Sequence, residues 1–176
     1  MRGFQLWINL PAREKMKPAG YRDIQPDEIP VVELASGARV KVIAGTLAAD
    51  GVVTPGPIRG LTTDPLYFDV TLPPHARFEH AIPAGYHAFV YVFEGSVSVG
   101  PHDAAKPLGT HKAGIFSDGD TVEVSGGAEG GRFILLAGRP LGEPVVQYGP
   151  FVMNTPQEIE RAIRDYQSGE LTRAAS

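Results

Sequence analysis

The stretch from His75 to Gly100, HARFEHAIPAGYHAFVYVFEGSVSVG, limits what this chain can become more than any other. Its centre, His87 to Phe93, strings β-branched and aromatic residues together between glycines and a proline, which is the composition of a strand. Alternation puts His87, Phe89, Tyr91 and Phe93 on one face and Ala88, Val90 and Val92 on the other. A strand apolar on both faces is covered on both sides, so it is expected centrally in a sandwich or a closed barrel. Arg77 to Ile82 reads as a shorter strand leading into a Pro83-Ala84-Gly85 corner. Glu94-Gly95 reads as a turn into a further strand, Ser96 to Val99.

The same signals recur along the chain. Gly3 to Leu10 (GFQLWINL) alternates as a strand until Pro11 ends it, and Tyr21 to Gln25 reads as a short edge segment. Ile29 to Leu34 and Arg39 to Ala44 form an expected hairpin around Ser36-Gly37. Gly45 to Asp64 reads as a long loop, and loops of that length in a small domain are commonly functional. Leu66 to Leu72 alternates again. Thr121 to Val124 and Arg132 to Ala137 are strands, with the glycine-rich Ser125 to Gly131 expected as the hairpin loop between them. Val145 to Tyr148 and Phe151 to Met153 are extended. Only the end is helical. Thr155 caps, Pro156 takes the first position and Glu158 completes a capping box. Ile159, Ala162, Ile163 and Tyr166 share the face expected to pack, and Gly169 stops the helix.

Composition removes several function classes. Sixteen Lys and Arg against twenty Asp and Glu leave a formal charge of -4 in 176 residues, the wrong sign for gripping phosphates. The absence of cysteine rules out disulfides, thiolate metal sites and cysteine nucleophiles. The first residues lack the apolar core of a signal peptide, and no apolar run approaches the roughly 20 residues of a membrane helix. A cytoplasmic protein with no direct nucleic-acid or membrane partner is expected. Twenty-one Gly and sixteen Pro suit many short strands joined by turns.

Five histidines are the obvious source of metal chemistry: His75, His80, His87, His102 and His111. His80, His87 and Glu94 form the one clustered candidate. His80 and His87 flank a Pro-Ala-Gly corner, however, and no two histidines stand at the i, i+2 spacing that shares a strand face. No metal ligand, cofactor or catalytic residue is therefore assigned. No serine sits in a G-x-S-x-G elbow, and the glycines at 126–131 lack the Lys-Ser/Thr of a phosphate loop. His80, His87 and Tyr91 stand as candidate contacts for a small ligand.

Four segments carry a family resemblance: GFQLWINLPAREKM at Gly3 to Met16, LYFDVTLPP at Leu66 to Pro74, IPAGYHAFVYVFEGSV at Ile82 to Val97, and RFILLAGRPLGEPVVQYGPFVMNTPQEIERAIRDYQSGE at Arg132 to Glu170. Together they resemble the C-terminal half of the pirin family. The resemblance implies an all-β fold: one cupin barrel, a jelly-roll or double-stranded β-helix, with one C-terminal α-helix. Residues 1–20 would be the linking strand and connector, 21–154 the barrel and 155–170 the helix. Pirins pair two such barrels. The first holds iron through three histidines and a glutamate, some members are quercetin 2,3-dioxygenases, and eukaryotic members are transcriptional cofactors. Aligning the family's Glu-Gly on Glu94-Gly95 puts the first barrel's H-x-H pair at Ala81 and Pro83, and its His-x-Glu pair near Ser125 to Gly131. None of these positions offers that set of ligands.

The expectation is a metal-free cupin serving as an assembly or small-ligand module, without the iron-binding first barrel. The alternative is a fragment or half of a pirin-type dioxygenase or transcriptional cofactor. Phe4, Leu6, Trp7 and Ile8 are the expected interface. They would meet a second copy or a separate cupin of the N-terminal type.

Overall fold

Alternation between buried and exposed side chains builds most of the strands. The computed structural model describes residues 3–171. They fall into two units, Asp23–Pro140 and a second one joining residues 3–22 to 141–171. In the larger unit the strands are β1 (Val31–Glu33), β2 (Arg39–Ala44), β3 (Thr46–Ala49), β4 (Val52–Pro55), β5 (Leu66–Leu72), β6 (Arg77–Ala81), β7 (His87–Val99), β8 (Lys106–Gly109), β9 (Lys112–Ile115) and β10 (Thr121–Gly138). One sheet runs β1-β2-β5-β10-β7-β8, with β6 also on β10 and β9 also on β7; β3 and β4 form a separate hairpin. The ladders are antiparallel. This is the expected all-β barrel.

Inward-facing residues supply the core. Val40 and Val42 on β2, Phe68 and Val70 on β5, Val90 and Val92 on β7, and Phe133 and Leu135 on β10 are fully buried. Phe78 on β6 meets Phe133 edge to face, with ring centroids 6.1 Å apart. Each such side chain contributes roughly 1.5–3 kcal/mol over an exposed one.

Two expected turns are instead strand interior. β7 runs unbroken through Glu94-Gly95, and β10 runs unbroken through the glycines at 126–131. The register slips at both places: Gly126 pairs with Val97 and Gly131 with Gly95, while Arg132 pairs with Glu94 and Phe133 with Val92. These bulges switch the face presented to the core. On β7 the buried series changes from Ala88, Val90 and Val92 to Val97, and on β10 from Val122 and Val124 to Phe133, Leu135 and Ala137. The glycines are demanded by proximity. A Cβ on Gly126 would run into the Pro73 carbonyl, on Gly130 into the Leu72 carbonyl, and on Gly131 into the Ser96 carbonyl.

The stretch 45–64 is also more ordered than a long loop. It holds the β3–β4 hairpin, turned at Asp50-Gly51 with positive φ at both residues, as a type I′ turn requires. Asp50 Oδ2 accepts the Ala35 N–H at 2.7 Å.

The outer face of β7 departs from the expected full coverage. His87 is exposed and Phe89 is 36% exposed, whereas Phe93 is buried. Phe93 joins Ile134 and Leu136 in a second apolar cluster with Tyr67 and Tyr91, and Arg132 stacks its guanidinium 4.9 Å from the Phe93 ring centre. Arg132 also bonds Asp69 Oδ2 at 3.3 Å and lies 3.7 Å from Glu94. A cation on the ring lets an outward aromatic lose water on one side without an apolar lid.

In the smaller unit, β11 (Val146–Tyr148) pairs with β12 (Phe151–Met153), and helix α1 spans Pro156–Gln167. The Thr155–Glu158 capping box forms as its sequence requires, and Gly169 ends the helix with φ +77°. Ile159 and Ala162 are buried, and the helix contacts β11 and β12. Tyr166, expected to pack with them, is 60% exposed and meets Phe151 edge to face. Ile163 is half-buried, so the buried stripe is narrower than four residues.

Residues 3–11 belong to no strand. The alternation of GFQLWINL has no ladder partner among the described residues, so periodicity alone does not make it a strand. Its anchor is polar: Lys15 Nζ donates to Asn9 Oδ1 at 2.6 Å and to the Val152 carbonyl at 2.8 Å. Glu143 Oε2 accepts both the Ala12 N–H at 2.7 Å and the Asn154 amide at 2.9 Å. Tyr21–Gln25, expected as an edge segment, is likewise outside every strand.

Candidate functional site

Two places concentrate chemistry, one in each unit. In the larger unit a cleft of about 420 Å³ opens between β3, β6 and the 58–66 segment. The walls follow from local folding. Ile58 bridges Ala44 in parallel, with Gly45 N–H donating to the Ile58 carbonyl at 3.1 Å and Ile58 N–H to the Ile43 carbonyl at 3.3 Å. Gly45 is required there, since a Cβ would collide with Leu66 and the Pro65 carbonyl. Alternation on β6 turns Phe78 and His80 inward and Glu79 and Ala81 outward.

Among the described residues His80 is the one charged or polar member of the buried core, 5% exposed. Its ring lies edge-on to Phe68 at 5.1 Å and stacks on Phe78 at 6.3 Å. Its Nδ1 is buried without a hydrogen-bond partner. Loss of hydration holds its pKa below the ordinary 6.5, so the imidazole is neutral near pH 7.

The rim is set by charge. Asp64, held in the left-handed region at φ +44°, accepts the Tyr86 hydroxyl at 2.7 Å. Arg139 donates to that hydroxyl oxygen at 3.4 Å and stands 5.8 Å from the Tyr86 ring centre. Burial, and then the bond to Asp64, push the Tyr86 pKa up. Arg59 lines the cleft and, among the described residues, has no hydrogen-bond or ion-pair partner.

The sequence candidates are not gathered. His80 faces the core, whereas His87 and Tyr91 lie on the opposite face of β7, His87 exposed and Tyr91 half-buried beside Phe93. Glu94 sits on β7 near Arg132. His75 and His111 occupy turns with positive φ. Among the described residues no group of three His, Asp or Glu could hold a metal ion. Nor do the aligned positions fit an iron: Ala81 and Pro83 are exposed, and 125–131 is a bulge packed against Pro73 and Ser96. Arg59 and Asp64 were absent from the sequence candidates because only the fold brings their loop to His80.

The second place is apolar. Phe4, Leu6 and Ile8 are 43%, 39% and 43% exposed, and Trp7 is 70% exposed. Trp7 and Ile8 border a groove of about 340 Å³ floored by Phe151, Val152 and Met153. Among the described residues no helix is long and apolar enough to cross a membrane.

A cupin barrel whose interior is filled by Val, Leu and Phe, with His80 the one buried histidine among the described residues, defines the class. The model of the pirin C-terminal cupin domain matches residues 67–172. The chain belongs to the pirin family. It is 46% identical over 170 residues to a pirin-like protein of Caulobacter vibrioides, covering 96% of this chain and 58% of that one. Against human pirin it is 39% identical over 169 residues, covering 96% of this chain and 56% of that one. A crystal structure of quercetin 2,3-dioxygenase from Acinetobacter baumannii superposes with a TM-score of 0.80 at 33% identity, over 94% of this chain and 55% of that one. The chain thus spans little more than half the length of these relatives.

Proposed function

We propose that this pirin cupin works by binding, with no metal of its own, as an assembly module whose N-terminal segment seats against a second copy of the chain. The observation that carries the reading is Trp7, 70% exposed at the edge of an apolar groove in the same unit. A projecting aromatic next to a groove is self-complementary under a two-fold axis, where each Trp7 fills the other copy's groove. Exposed apolar residues of this size are also favoured anchors of interfaces. Phe4, Leu6 and Ile8 extend the patch. Such a contact should bury at least about 1,000 Å² in total. Sedimentation at micromolar concentration is expected to give a dimer and Trp7→Asp a monomer. A wild-type monomer rejects the second copy as occupant, and a dimer untouched by Trp7→Asp moves the interface elsewhere. Binding of a separate N-terminal-type cupin would be the remaining assembly partner.

The competing reading is that the chain is part of a pirin-type dioxygenase or iron-dependent transcriptional cofactor. Its support is the likeness to the Acinetobacter baumannii enzyme. The donor set counts against iron on this chain's own barrel. Metal analysis of the purified chain, with quercetin turnover on the same sample, separates the two: stoichiometric iron with turnover rejects the metal-free reading.

A further inference from the structure

We propose that the cleft between β3 and β6 binds a small carboxylic acid with an apolar body, its carboxylate on Arg59 and one of its oxygens on His80. The proposal rests on the reading of this cupin as a binding module, and it concerns a site separate from the Trp7 groove.

Three observations converge. The cleft measures about 420 Å³, within the roughly 300–1,000 Å³ of small-molecule sites. Ile58, Pro65 and Leu66 give it apolar walls. His80, 95% buried by its 5% exposure, lines it with Nδ1 sealed and unpartnered. A buried polar ring without partners is costly to keep, and an apolar residue would fill the same space between Phe68 and Phe78. Nδ1 is sealed and, among the described residues, Nε2 has no partner either, so a molecule in the cleft would bond the ring through Nε2. A neutral imidazole offers one donor and one acceptor, and protonation on Nε2 presents the donor.

Charge selects the ligand. Asp64 is the acid of the cleft, but the Tyr86 hydroxyl already bonds it, and Arg139 bonds that hydroxyl in turn. Among the described residues Arg59 forms no ion pair. Arg59 and Arg139 outnumber Asp64, so the net charge around the cleft is positive, and guanidinium favours carboxylate geometry. An amine would meet Arg59 and an occupied Asp64, while a plain hydrocarbon would leave both Arg59 and His80 unanswered.

The experiment uses the full chain, isotope-labelled, titrated at pH 7.5 with benzoate and hexanoate and with benzamide and hexanamide as uncharged counterparts. The acids should shift the amides of Thr46, Leu66 and Ala81 together with the His80 ring nitrogens. The amides should bind roughly tenfold more weakly, the size of one lost charged hydrogen bond. Arg59→Ala, at an exposed position, should bring the acids down to the level of the amides without altering the rest of the spectrum. Shifts confined to other regions, no saturation up to on the order of 10 mM, or an Arg59→Ala protein that binds acids as tightly as wild type would each overturn the proposal. Those results in a protein still free of stoichiometric iron reject the cleft alone, whereas bound iron rejects the metal-free reading.

Discussion

His80 couples the cleft to stability. Unfolded, it titrates at about the ordinary 6.5; folded, burial lowers its pKa. The unfolded chain therefore binds more protons just below pH 6.5, so stability falls as pH drops through that value. The faces around the ring are Phe68 and Phe78, with Arg59 and Asp64 on the cleft rim, and among the residues lining the cleft Asp64 is the one acid that could offset a positive charge. Urea midpoints measured from pH 7.5 to 5.5 should decline, and His80→Phe should flatten the decline; an equal slope in the variant would place the titration elsewhere. Backbone geometry at Gly95 is just as demanding. With φ +67° and the Gly130 carbonyl where a Cβ would stand, Gly95→Ala should cost more than about 1 kcal/mol. An unchanged denaturation midpoint would show that the bulge yields.

At the scale of elements, what the residues announced and what they concealed separate cleanly. β2, β5 and the capped start of α1 were legible because each signal is local: alternation in Arg39–Ala44 and Leu66–Leu72, and Thr155, Pro156 and Glu158 in their places. The glycines of 126–131 misled because glycine serves turns and close approaches alike, and only the fold reveals the carbonyls pressed against them. Asp50-Gly51 was the signal that would have found the β3–β4 hairpin. His80 could be singled out from sequence, but its partners in the cleft come from a loop whose path depends on the Ala44–Ile58 bridge. For the helix, Ile159→Asp should destabilise by roughly 2–4 kcal/mol, since a charge would replace a buried aliphatic side chain. Tyr166→Ala should stay within about 0.5 kcal/mol, as exposed sites do. Thermal denaturation of both variants checks the contrast, and equal losses would mean that the whole stripe packs.

For the molecule as a whole, assembly through Trp7 would tie stability to concentration. If a second copy covers that residue only in the folded state, the melting temperature should rise with protein concentration, and Trp7→Asp should abolish the dependence. A concentration-independent wild type would speak against the dimer. A different consequence comes from β10. Along one edge it pairs with β7 on both sides of the bulge; along the other it serves β6 with Thr121–Ser125 and β5 with Gly131–Ala137. Its neighbours cannot detach from each other while it stays put, and it cannot detach from one without baring the rest. Amide protons along Phe133–Ala137 should therefore exchange with deuterium only when the entire larger unit opens, at one common rate that tracks its global stability. Fraying should be confined to β1, β6, β8 and β9, each paired with a single strand, and to the separate β3–β4 hairpin.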